Sequence, residues 1–372
     1  MMHTDPLSEA AQAWPVLPLD IAQPYGFRAE AKEPALLVTL NALTRWHQPR
    51  CAPYANMVER LFPAGAKAAT RAEVPYLPVR LFKTLELRSV PETEVIKTLT
   101  SSGTTGQAVS RIYLDRETSM RQTRVLSAIM ASFLGKKRWP MVIVDSADVL
   151  KDRRRFNARA AGILGFSTYG RDHCYCLNDA LELDAHALQA WLTRYSDTPV
   201  LLFGFTFVVW QGLYQSALRQ GVQLRFPPGS LLIHGGGWKR LLDQRVSNEE
   251  FKARLHQHFG IERVYNYYGM VEQVGSIFME CEHGHLHSPS YADVLMRDPH
   301  TLQPLGVGQP GVIQVQSAIP LSYPGHSLLT EDVGTLHGQD DCPCGRAGSH
   351  FTVSGRLPQV ELRGCSDTRV IA

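Results

Sequence analysis

Short apolar runs alternate with amphipathic stretches through the middle of the chain. Residues 140–144, 200–205 and 231–234 are apolar runs of the length typical of buried strands. The stretches between them place apolar side chains at helical spacing, and one of them, a basic helix, is predicted to end near Gly162. Strands and helices in alternation predict an α/β fold with largely parallel sheets.

One helix in this region has both of its ends marked. Ser247, with Glu250 three residues later, forms a capping box at the start of an apolar helical stripe that includes Phe251. Gly260 is placed to end that helix. A strand is predicted to resume over residues 261–265.

The pattern differs on either side of this middle part. Residues 35–90 are predicted to be mainly helical with interruptions at prolines, and residues 95–115 to be a strand, a polar glycine loop and a second strand. Beyond about residue 280, short strands and turns predict a small β-rich subdomain. We therefore predict three parts: an α/β body over residues 1–280, a β-rich subdomain over 281–356 and a C-terminal tail over 357–372.

Composition and charge narrow the class of protein. The 372 residues are 44% hydrophobic and 20% charged, which suits a large globular core, and a net charge of +3 gives no reason to expect nucleic acid as a partner. The N-terminus lacks a basic segment followed by an apolar one, so no secretory signal is expected. The apolar run over residues 200–210 is too short to span a bilayer. We expect a cytoplasmic protein without membrane insertion.

A run of small hydroxyl and glycine residues lies between the two strands predicted within residues 95–115. It consists of Ser101, Ser102, Gly103, Thr104, Thr105 and Gly106. Backbone N–H groups and hydroxyls around such a turn can hold an anion, and the glycines let the backbone approach it closely. The spacing is not that of a P-loop, which ends in Gly-Lys. The run predicts a phosphate site, with a flexible surface loop as the alternative.

This loop resembles the phosphate-loop signature of the adenylate-forming superfamily, which includes acyl-CoA ligases, peptide-synthetase adenylation domains and luciferases. Four further segments resemble that superfamily's motifs, in the expected order, over about 260 residues. They contain Gly235 and Gly236, then Asn266, Tyr268 and Gly269 with Glu272, then Asp332, and finally Arg356. The resemblance implies the large-domain fold of that superfamily, with layered parallel sheets, and an ATP site.

The resemblance also implies a role for each motif. The glycine turn would pack beside adenine, and Tyr268 would stack on it, while Asp332 and Arg356 would reach the ribose hydroxyls. An aromatic face suits adenine, and carboxylates suit a diol or a hard cation. Glu272 would hold Mg²⁺, although that residue taken alone could equally cap a helix or lie on the surface.

Cysteines and histidines cluster in two later segments. Residues 281–287 and 342–346 supply three thiols and up to three imidazoles, and a Cys₃His set forms a closed tetrahedral site suited to structural Zn²⁺. The turn in the second segment resembles the cysteine turn of phenylacetate-type CoA ligases. That resemblance implies the ligands Cys281, His287, Cys342 and Cys344. His285 rivals His287, and a set of unliganded reduced thiols is the alternative.

The other cysteines differ in their setting. Seven cysteines, an odd number, do not suggest a disulfide framework, and Cys51, Cys174 and Cys176 are predicted to lie in the core. Cys365 lies seven residues from the end, where a thiol could travel, and Arg363 would favour its thiolate. Such a thiolate could attack an acyl-adenylate. An incidental terminal cysteine is the alternative.

Three segments resemble the LuxE-type acyl-protein synthetases of bacterial bioluminescence: residues 77–83, 323–332 and 363–366. CoA ligases of the superfamily carry a further mobile domain with a catalytic lysine. This chain ends about sixteen residues after Arg356, so that domain is expected to be largely absent. The resemblance implies a fatty acid substrate, acylation of the terminal cysteine and delivery to a partner acyl reductase. Assembly into an oligomer is left open.

Other functions stand as alternatives. A phenylacetate-type ligase would form a free CoA thioester, and a non-catalytic nucleotide-binding subunit would only position a reductase. A serine hydrolase is not favoured, because residues 325–329 lack the second glycine of a nucleophile elbow. His234 and His326 are candidates for charge stabilisation or proton transfer, and a buried structural role is the alternative for both.

Overall fold

The computed structural model describes residues 19–101, 109–150, 158–238 and 245–357. Its first helices are α1 (Ala29–His47) and α2 (Ala52–Leu61). They contribute Leu36 from α1 and Tyr54 from α2 to the larger of two apolar cores. This N-terminal part covers one side of the main sheet.

The predicted helical region ends earlier than expected. Residues 62–90 form 3₁₀ turns and the short strand β1 (Leu77–Pro78), so the helical prediction is wrong for this stretch. Pro63 and Pro75 lack the backbone N–H that a helix requires, and Gly65 has a φ of +50°. The 3₁₀ helices are Gln48–Arg50, Gly65–Lys67, Arg71–Glu73, Val79–Lys83, Glu92–Glu94, Ala147–Leu150 and Val271–Gln273.

The predicted strand–loop–strand segment forms a hairpin of β2 (Lys97–Thr100) and β3 (Arg111–Leu114). The two strands pair antiparallel, so the hairpin holds both ends of the glycine loop together. Helix α3 (Arg116–Leu134) follows, and the side chain of its N-cap residue Asp115 accepts a hydrogen bond from the Thr118 N–H at 2.8 Å.

Parallel strands form one half of the main sheet. They are β4 (Trp139–Val144), β5 (Gly170–Tyr175), β6 (Leu201–Phe205), β7 (Leu231–Gly235) and β8 (Arg263–Tyr268), in the order β5-β4-β6-β7-β8. The accompanying helices are α4 (Ala158–Ser167), α5 (Ala185–Thr193), α6 (Thr206–Val208), α7 (Ser216–Gln220) and α8 (Asn248–Phe259), with a π-helix (Val209–Gln215) between α6 and α7. No helix in the described part of the chain is long and apolar enough to cross a bilayer.

Antiparallel strands continue the same sheet beyond β8. They are β9 (Phe278–Glu280), β10 (Leu286–His287), β11 (Ala292–Arg297), β12 (Pro310–Ser317), β13 (Ser327–Gln339) and β14 (Ser349–Arg356), in the order β9-β10-β14-β13-β12-β11. Strand β1 adds to β13 in parallel. The sheet is therefore mixed rather than parallel throughout, because the short connections after β8 can join only antiparallel neighbours.

The predicted boundary after residue 280 falls inside this sheet. Strand β9 ends at that residue and pairs with β8 on one side and β10 on the other. The later strands are short and turn-rich, as the sequence pattern indicates. The division into three parts stays a prediction.

The predicted ends of α8 agree with the structure. Ser247 Oγ accepts a hydrogen bond from the Glu250 N–H at 3.1 Å, and Gly260 follows the helix with a φ of +73°. The strand predicted over residues 261–265 begins at Arg263 instead. The strand is present at its predicted place along the chain, but its predicted first residue is wrong.

The basic helix extends beyond its predicted end. Helix α4 continues through Gly162 to Ser167. A Cβ at position 162 would lie 3.0 Å from the ring of Phe205. This glycine therefore permits close packing of α4 on β6 and does not end the helix.

The apolar core lies on both faces of the sheet, because successive strand residues point to opposite sides. On β4, Met141 and Ile143 belong to one cluster, whereas Val142 and Val144 belong to the other. The cysteines predicted to be core residues are buried in these clusters: Cys51, Cys174 and Cys176.

Candidate active site and metal centre

The carboxyl ends of three parallel strands form the floor of the candidate nucleotide site. Gly204 of β6 lies beside His234 of β7, which lies beside Asn266 of β8. Ligands of open α/β sheets bind outside the carboxyl ends of the strands. The predicted residues 235–236 and 268–269 continue these strands, so they lie at that edge.

Gly235 and Gly236 allow a close backbone approach where β7 ends. A Cβ on Gly235 would collide with the ring of Tyr267, and Gly236 has a φ of +76°, which other residues rarely adopt. Thr206 Oγ1 donates a hydrogen bond to the Gly236 carbonyl at 2.8 Å. The turn is thus fixed in place, and neither glycine adds a side chain between the strand end and a flat ligand.

Three residues predicted from separate motifs meet in one cluster. Tyr268 Oη donates a hydrogen bond to Asp332 Oδ2 at 2.8 Å, and Arg356 Nε lies 3.3 Å from Asp332 Oδ1. Strands β13 and β14 place Asp332 directly opposite Arg356. Burial raises the pKa of Tyr268, and the Asp332 carboxylate raises it further, so the phenol remains a hydrogen-bond donor. The arrangement joins an aromatic ring to a carboxylate–guanidinium pair.

Glu272 lies beside the base of the glycine loop. It is 7% exposed, and burial raises its pKa, an effect that the Ser110 side chain and the charges of Lys83 and Arg356 partly offset. Ser101 Oγ accepts a hydrogen bond from the Ser110 N–H at 2.9 Å, which closes the base of the loop. The remaining loop residues predicted to bind phosphate, Ser102, Gly103, Thr104, Thr105 and Gly106, lie outside the described residues.

Asn266 and Gly269 complete the predicted nucleotide motif. The Asn266 N–H donates to Glu280 Oε2 at 2.8 Å, and Glu280 also pairs with Lys252 at 3.0 Å. Asn266 Oδ1 is buried without a hydrogen-bond partner among the described residues. At Gly269 a Cβ would lie 3.1 Å from the side chain of Ile277, which favours glycine there. The backbone of Asn266 is therefore fixed by Glu280, while its side-chain oxygen accepts no hydrogen bond from the described residues.

His234 is buried, and burial, together with the charge of Lys252, lowers its pKa to about 3. Its Nδ1 lies 2.9 Å from Thr206 Oγ1, while its ring packs on Phe251 with centroids 4.7 Å apart. Nε2 has no hydrogen-bond partner in the described part of the chain. A neutral imidazole here could share a hydrogen bond with a ligand but would not carry a positive charge.

His326 is a second buried neutral histidine. Burial lowers its pKa to about 3, and its Nε2 lies 3.1 Å from Thr44 Oγ1 and 3.3 Å from Tyr54 Oη. Its ring stacks on His47 with centroids 5.1 Å apart. These contacts favour the structural alternative over a catalytic role, because they tie α1 and α2 to the start of β13.

The predicted metal ligands converge between the end of β9 and the turn that joins β13 to β14. The ligand atoms of Cys281, His287, Cys342 and Cys344 all lie within 4.8 Å of one another. The Sγ atoms of Cys281 and Cys342 are 3.9 Å apart, and Cys344 Sγ lies 3.3 Å from His287 Nε2. Neighbouring ligands on tetrahedral Zn²⁺ should lie about 3.5–3.8 Å apart, given metal–ligand bonds of about 2.0–2.3 Å. The donor set fits such an ion.

Two similar turns present the thiols. The His283 N–H donates to Cys281 Sγ at 3.4 Å, and the Arg346 N–H donates to Cys344 Sγ at 3.5 Å. Gly345 makes the second turn possible with a φ of +78°. N–H groups directed at sulfur stabilise the thiolate form, which is the form that binds a metal.

The electrostatics around two members of this cluster, Cys344 and His287, also suit a metal. Burial alone would raise the pKa of the Cys344 thiol, but the N–H and guanidinium of Arg346 bring it below its usual value. Burial, with the charge of Arg346, lowers the pKa of His287 to about 3, so its imidazole is neutral. His287 is the fourth member of the Cys₃His set. His285 is not a member, but its Nδ1 lies 3.6 Å from Cys342 Sγ.

Cys365, the predicted acyl acceptor, lies outside the described residues, as does most of the predicted tail. The last described strand, β14, ends at Arg356. Leu357 follows, and its N–H donates to the Glu331 carbonyl at 2.9 Å. Leu357, the last described residue, therefore lies next to the Tyr268–Asp332–Arg356 cluster.

Comparison with known proteins places this architecture in a family. The model of the family described as "Acyl-protein synthetase, LuxE" matches residues 19–370. The chain belongs to this family. Acyl-protein synthetases are ligases, so the chain is an enzyme of that class, and the predicted family resemblance is confirmed.

Two relatives are similar over most of their length. The long-chain-fatty-acid–luciferin-component ligase of Vibrio harveyi is 25% identical over 332 residues, which cover 87% of this chain and 84% of the relative. The ligase of the same name from Aliivibrio fischeri is 23% identical over 303 residues, covering 79% and 77%. Both matches include the greater part of the chain.

Solved structures of 2-hydroxyisobutyryl-CoA ligase are similar in fold. An open conformation with 2-HIB-AMP and CoA has a TM-score of 0.68 at 17% identity, covering 91% of this chain and 72% of that one. The postadenylation state with R3-HIB-AMP has a TM-score of 0.68 at 16% identity, covering 93% and 73%. The predicted α/β fold of adenylate-forming enzymes is confirmed. Fold and family together support activation of a carboxylic acid by ATP.

The structure adds two basic residues that the sequence analysis did not single out. The charge of Lys83 acts on Glu272 and offsets part of the rise in pKa that burial causes. Arg80 Nη2 lies 2.7 Å from Glu331 Oε1 at the edge of the nucleotide cluster. Both lie in the 3₁₀ helix Val79–Lys83, which directly follows strand β1 and its pairing with β13. The resemblance of residues 77–83 to the family was the available signal, but it does not indicate which basic side chain faces the site.

Proposed function

We propose that this protein activates a carboxylic acid with ATP as an acyl-adenylate and then carries the acyl group as a thioester on Cys365. The observation that supports it best is the meeting of Tyr268, Asp332 and Arg356 at the carboxyl edge of the sheet. An aromatic ring and a carboxylate–guanidinium pair are the groups that adenine and ribose hydroxyls require.

In the first stage, an oxygen of the substrate carboxylate attacks the α-phosphorus of ATP, and pyrophosphate leaves. Negative charge on the phosphates would be offset by the N–H groups of the loop at 101–106 and by Lys83. Glu272 would hold Mg²⁺, since hard cations prefer carboxylate oxygens and a cation would compensate the burial of this carboxylate. Asp332 and Arg356 would fix the ribose and so orient the α-phosphate for attack.

In the second stage, the Cys365 thiolate attacks the acyl carbonyl carbon. The new C–S bond replaces the C–O bond to phosphate, and AMP leaves. The nearby Arg363 would favour the thiolate. A fatty acid is the proposed substrate, because both relatives are named for long-chain fatty acids, and a partner acyl reductase is the proposed recipient of the acyl group.

A structural Zn²⁺ is part of the proposal. Cys281, Cys342, Cys344 and His287 would hold it in a closed tetrahedral set. The ion would join the end of β9 to the β13–β14 turn. Because β13 carries Asp332 and β14 carries Arg356, the zinc would hold the hairpin that presents the ribose-binding pair.

Intact-protein mass spectrometry tests the thioester directly. The protein is incubated with MgATP and a panel of fatty and aryl acids, next to Cys365→Ser and the matched control Ser366→Ala. We expect an acyl mass increment with a fatty acid in the wild type and in Ser366→Ala, but not in Cys365→Ser. Hydroxylamine should remove the increment, because it cleaves thioesters.

The opposite outcomes point to different functions. An increment that persists in Cys365→Ser would place the acyl group elsewhere and contradict the proposed acceptor. No increment, with AMP released only after coenzyme A is added, would favour a CoA ligase. No AMP and no pyrophosphate with any acid would favour a non-catalytic nucleotide-binding subunit.

A further inference from the structure

A second group of potential metal ligands lies directly beside the Cys₃His set. Ligand atoms of His285, Cys342 and His350 lie within 4.8 Å of one another. The rings of His285 and His350 have centroids 4.8 Å apart, and His337 stacks on His285 at 5.0 Å. Cys342 is the one residue common to both groups of ligands.

His350 has the arrangement expected of a metal-binding histidine. It is 5% exposed, and its Nε2 lies 2.9 Å from Asp341 Oδ1. Its Nδ1 is buried without a hydrogen-bond partner among the described residues. Histidines that bind metals usually give their second nitrogen to a carboxylate or carbonyl, which orients the ring. The buried Nδ1 of His350 is therefore placed as a metal-binding nitrogen would be.

The distance between the other two members also fits an ion. His285 Nδ1 lies 3.6 Å from Cys342 Sγ. With metal–sulfur and metal–nitrogen bonds of about 2.3 Å and 2.0 Å, adjacent ligands on a tetrahedral ion lie about 3.5 Å apart. His337 differs from this pair, because its Nε2 lies 2.9 Å from Thr352 Oγ1 and it does not join the group.

We propose that His285, Cys342 and His350 bind a second divalent cation such as Zn²⁺, with the Cys342 thiolate bridging to the ion of the Cys₃His set. The proposal rests on the first metal site of the proposed function, since the bridge requires both ions. Three protein ligands leave one tetrahedral position open, and half-buried His285 lies where solvent can reach it. The second ion would therefore carry a water or an exchangeable ligand.

The number of bound ions tests this proposal. The full chain is equilibrated with Zn²⁺, freed of excess metal by gel filtration, and measured by elemental analysis and native mass spectrometry. We expect two zinc ions per chain in the wild type and one in His350→Gln. His337→Gln is the matched control, since that ring belongs to the same stack without belonging to the ligand set, and it should keep two.

The contrary results separate the two sites. A single ion in the wild type, unaffected by His350→Gln and lost in Cys281→Ser, would overturn the second site and leave the first. A single ion lost in His350→Gln but kept in Cys281→Ser would overturn both the Cys₃His assignment and the bridge. Two ions that persist in His350→Gln would also contradict the proposed ligands.

A titration of the wild type with Co²⁺ tests the same proposal without depending on whether a variant folds. Thiolate-to-cobalt absorption should continue to change up to two equivalents, because the bridging Cys342 senses both ions. Saturation at one equivalent would overturn the proposal.

Discussion

The Tyr268 hydroxyl links the ring that is predicted to stack on adenine to Asp332, the carboxylate that is predicted to bind the ribose. It donates to Asp332 Oδ2 at 2.8 Å, whereas the partner of Oδ1, Arg356, has a side chain that is 77% exposed. A hydrogen bond to a charged group contributes about 1.5–3 kcal/mol. An exposed ion pair contributes about 0–1 kcal/mol. The tyrosine is therefore the main tether of Asp332.

Tyr268→Phe keeps the ring and removes only the tether. The Asp332 side chain is 19% exposed, so water replaces part of the lost hydrogen bond. The loss of binding free energy should therefore lie near the lower end of that range, at about 1.5 kcal/mol. That energy corresponds to roughly a tenfold rise in KM for ATP. We expect a smaller change in kcat than in KM, because Asp332, the carboxylate that the tether positions, is predicted to bind the ribose and not the reacting phosphate.

Acid-dependent exchange between ATP and pyrophosphate measures this KM. Tyr267→Phe is the matched control, because this neighbour is also a tyrosine on β8 and has no hydrogen bond from its hydroxyl among the described residues. Thermal unfolding should show both variants folded. An equal KM for ATP in Tyr268→Phe and Tyr267→Phe would show that the tether does not position Asp332 for ATP binding.

Three further predictions concern other parts of the molecule. Lys83→Met should lower kcat of the exchange reaction by about a hundredfold, while Lys83→Arg keeps most activity, because the charge would stabilise the phosphates. Cys344→Ser should lose zinc and unfold at a lower temperature, whereas Cys174→Ser, a core cysteine, should keep its zinc in elemental analysis. Burial lowers the pKa of His326 to about 3 in the folded protein, whereas an unfolded histidine has a pKa of about 6.5. As pH falls below about 6.5, this histidine binds a proton in the unfolded chain but not in the folded one, so the free energy of unfolding decreases. At pH 5.5 this loss is about 1.4 kcal/mol, and denaturant unfolding at pH 7.5 and 5.5 should show a smaller difference in His326→Asn; an unchanged difference would contradict it.

The parallel half of the fold could be predicted because its signals are local. Apolar runs mark β4, β6 and β7, and Ser247 and Gly260 mark the ends of α8. Signals fail where one residue type serves two purposes. Gly162 looks like a helix stop but allows close packing on Phe205, and no local pattern distinguishes these cases.

The site could be predicted as a set of residues but not as a set of contacts. The pairing of Tyr268 with Asp332 joins residues 64 apart in the chain, and it depends on how β13 and β14 return to the sheet. The choice between His285 and His287 likewise depends on the register of β10 against β14, which places His287 opposite His350. Such information lies in the packing of distant strands, which a single sequence does not display.

Exchange of radiolabelled pyrophosphate into ATP, with fatty acids of several lengths and the Cys365→Ser variant, measures acyl-adenylate formation directly. Because the proposed adenylation precedes the thiol step, we predict fatty-acid-dependent exchange in the wild type and equal exchange in Cys365→Ser. Absence of exchange with every acid in folded wild-type protein would contradict the claim that this chain forms an acyl-adenylate.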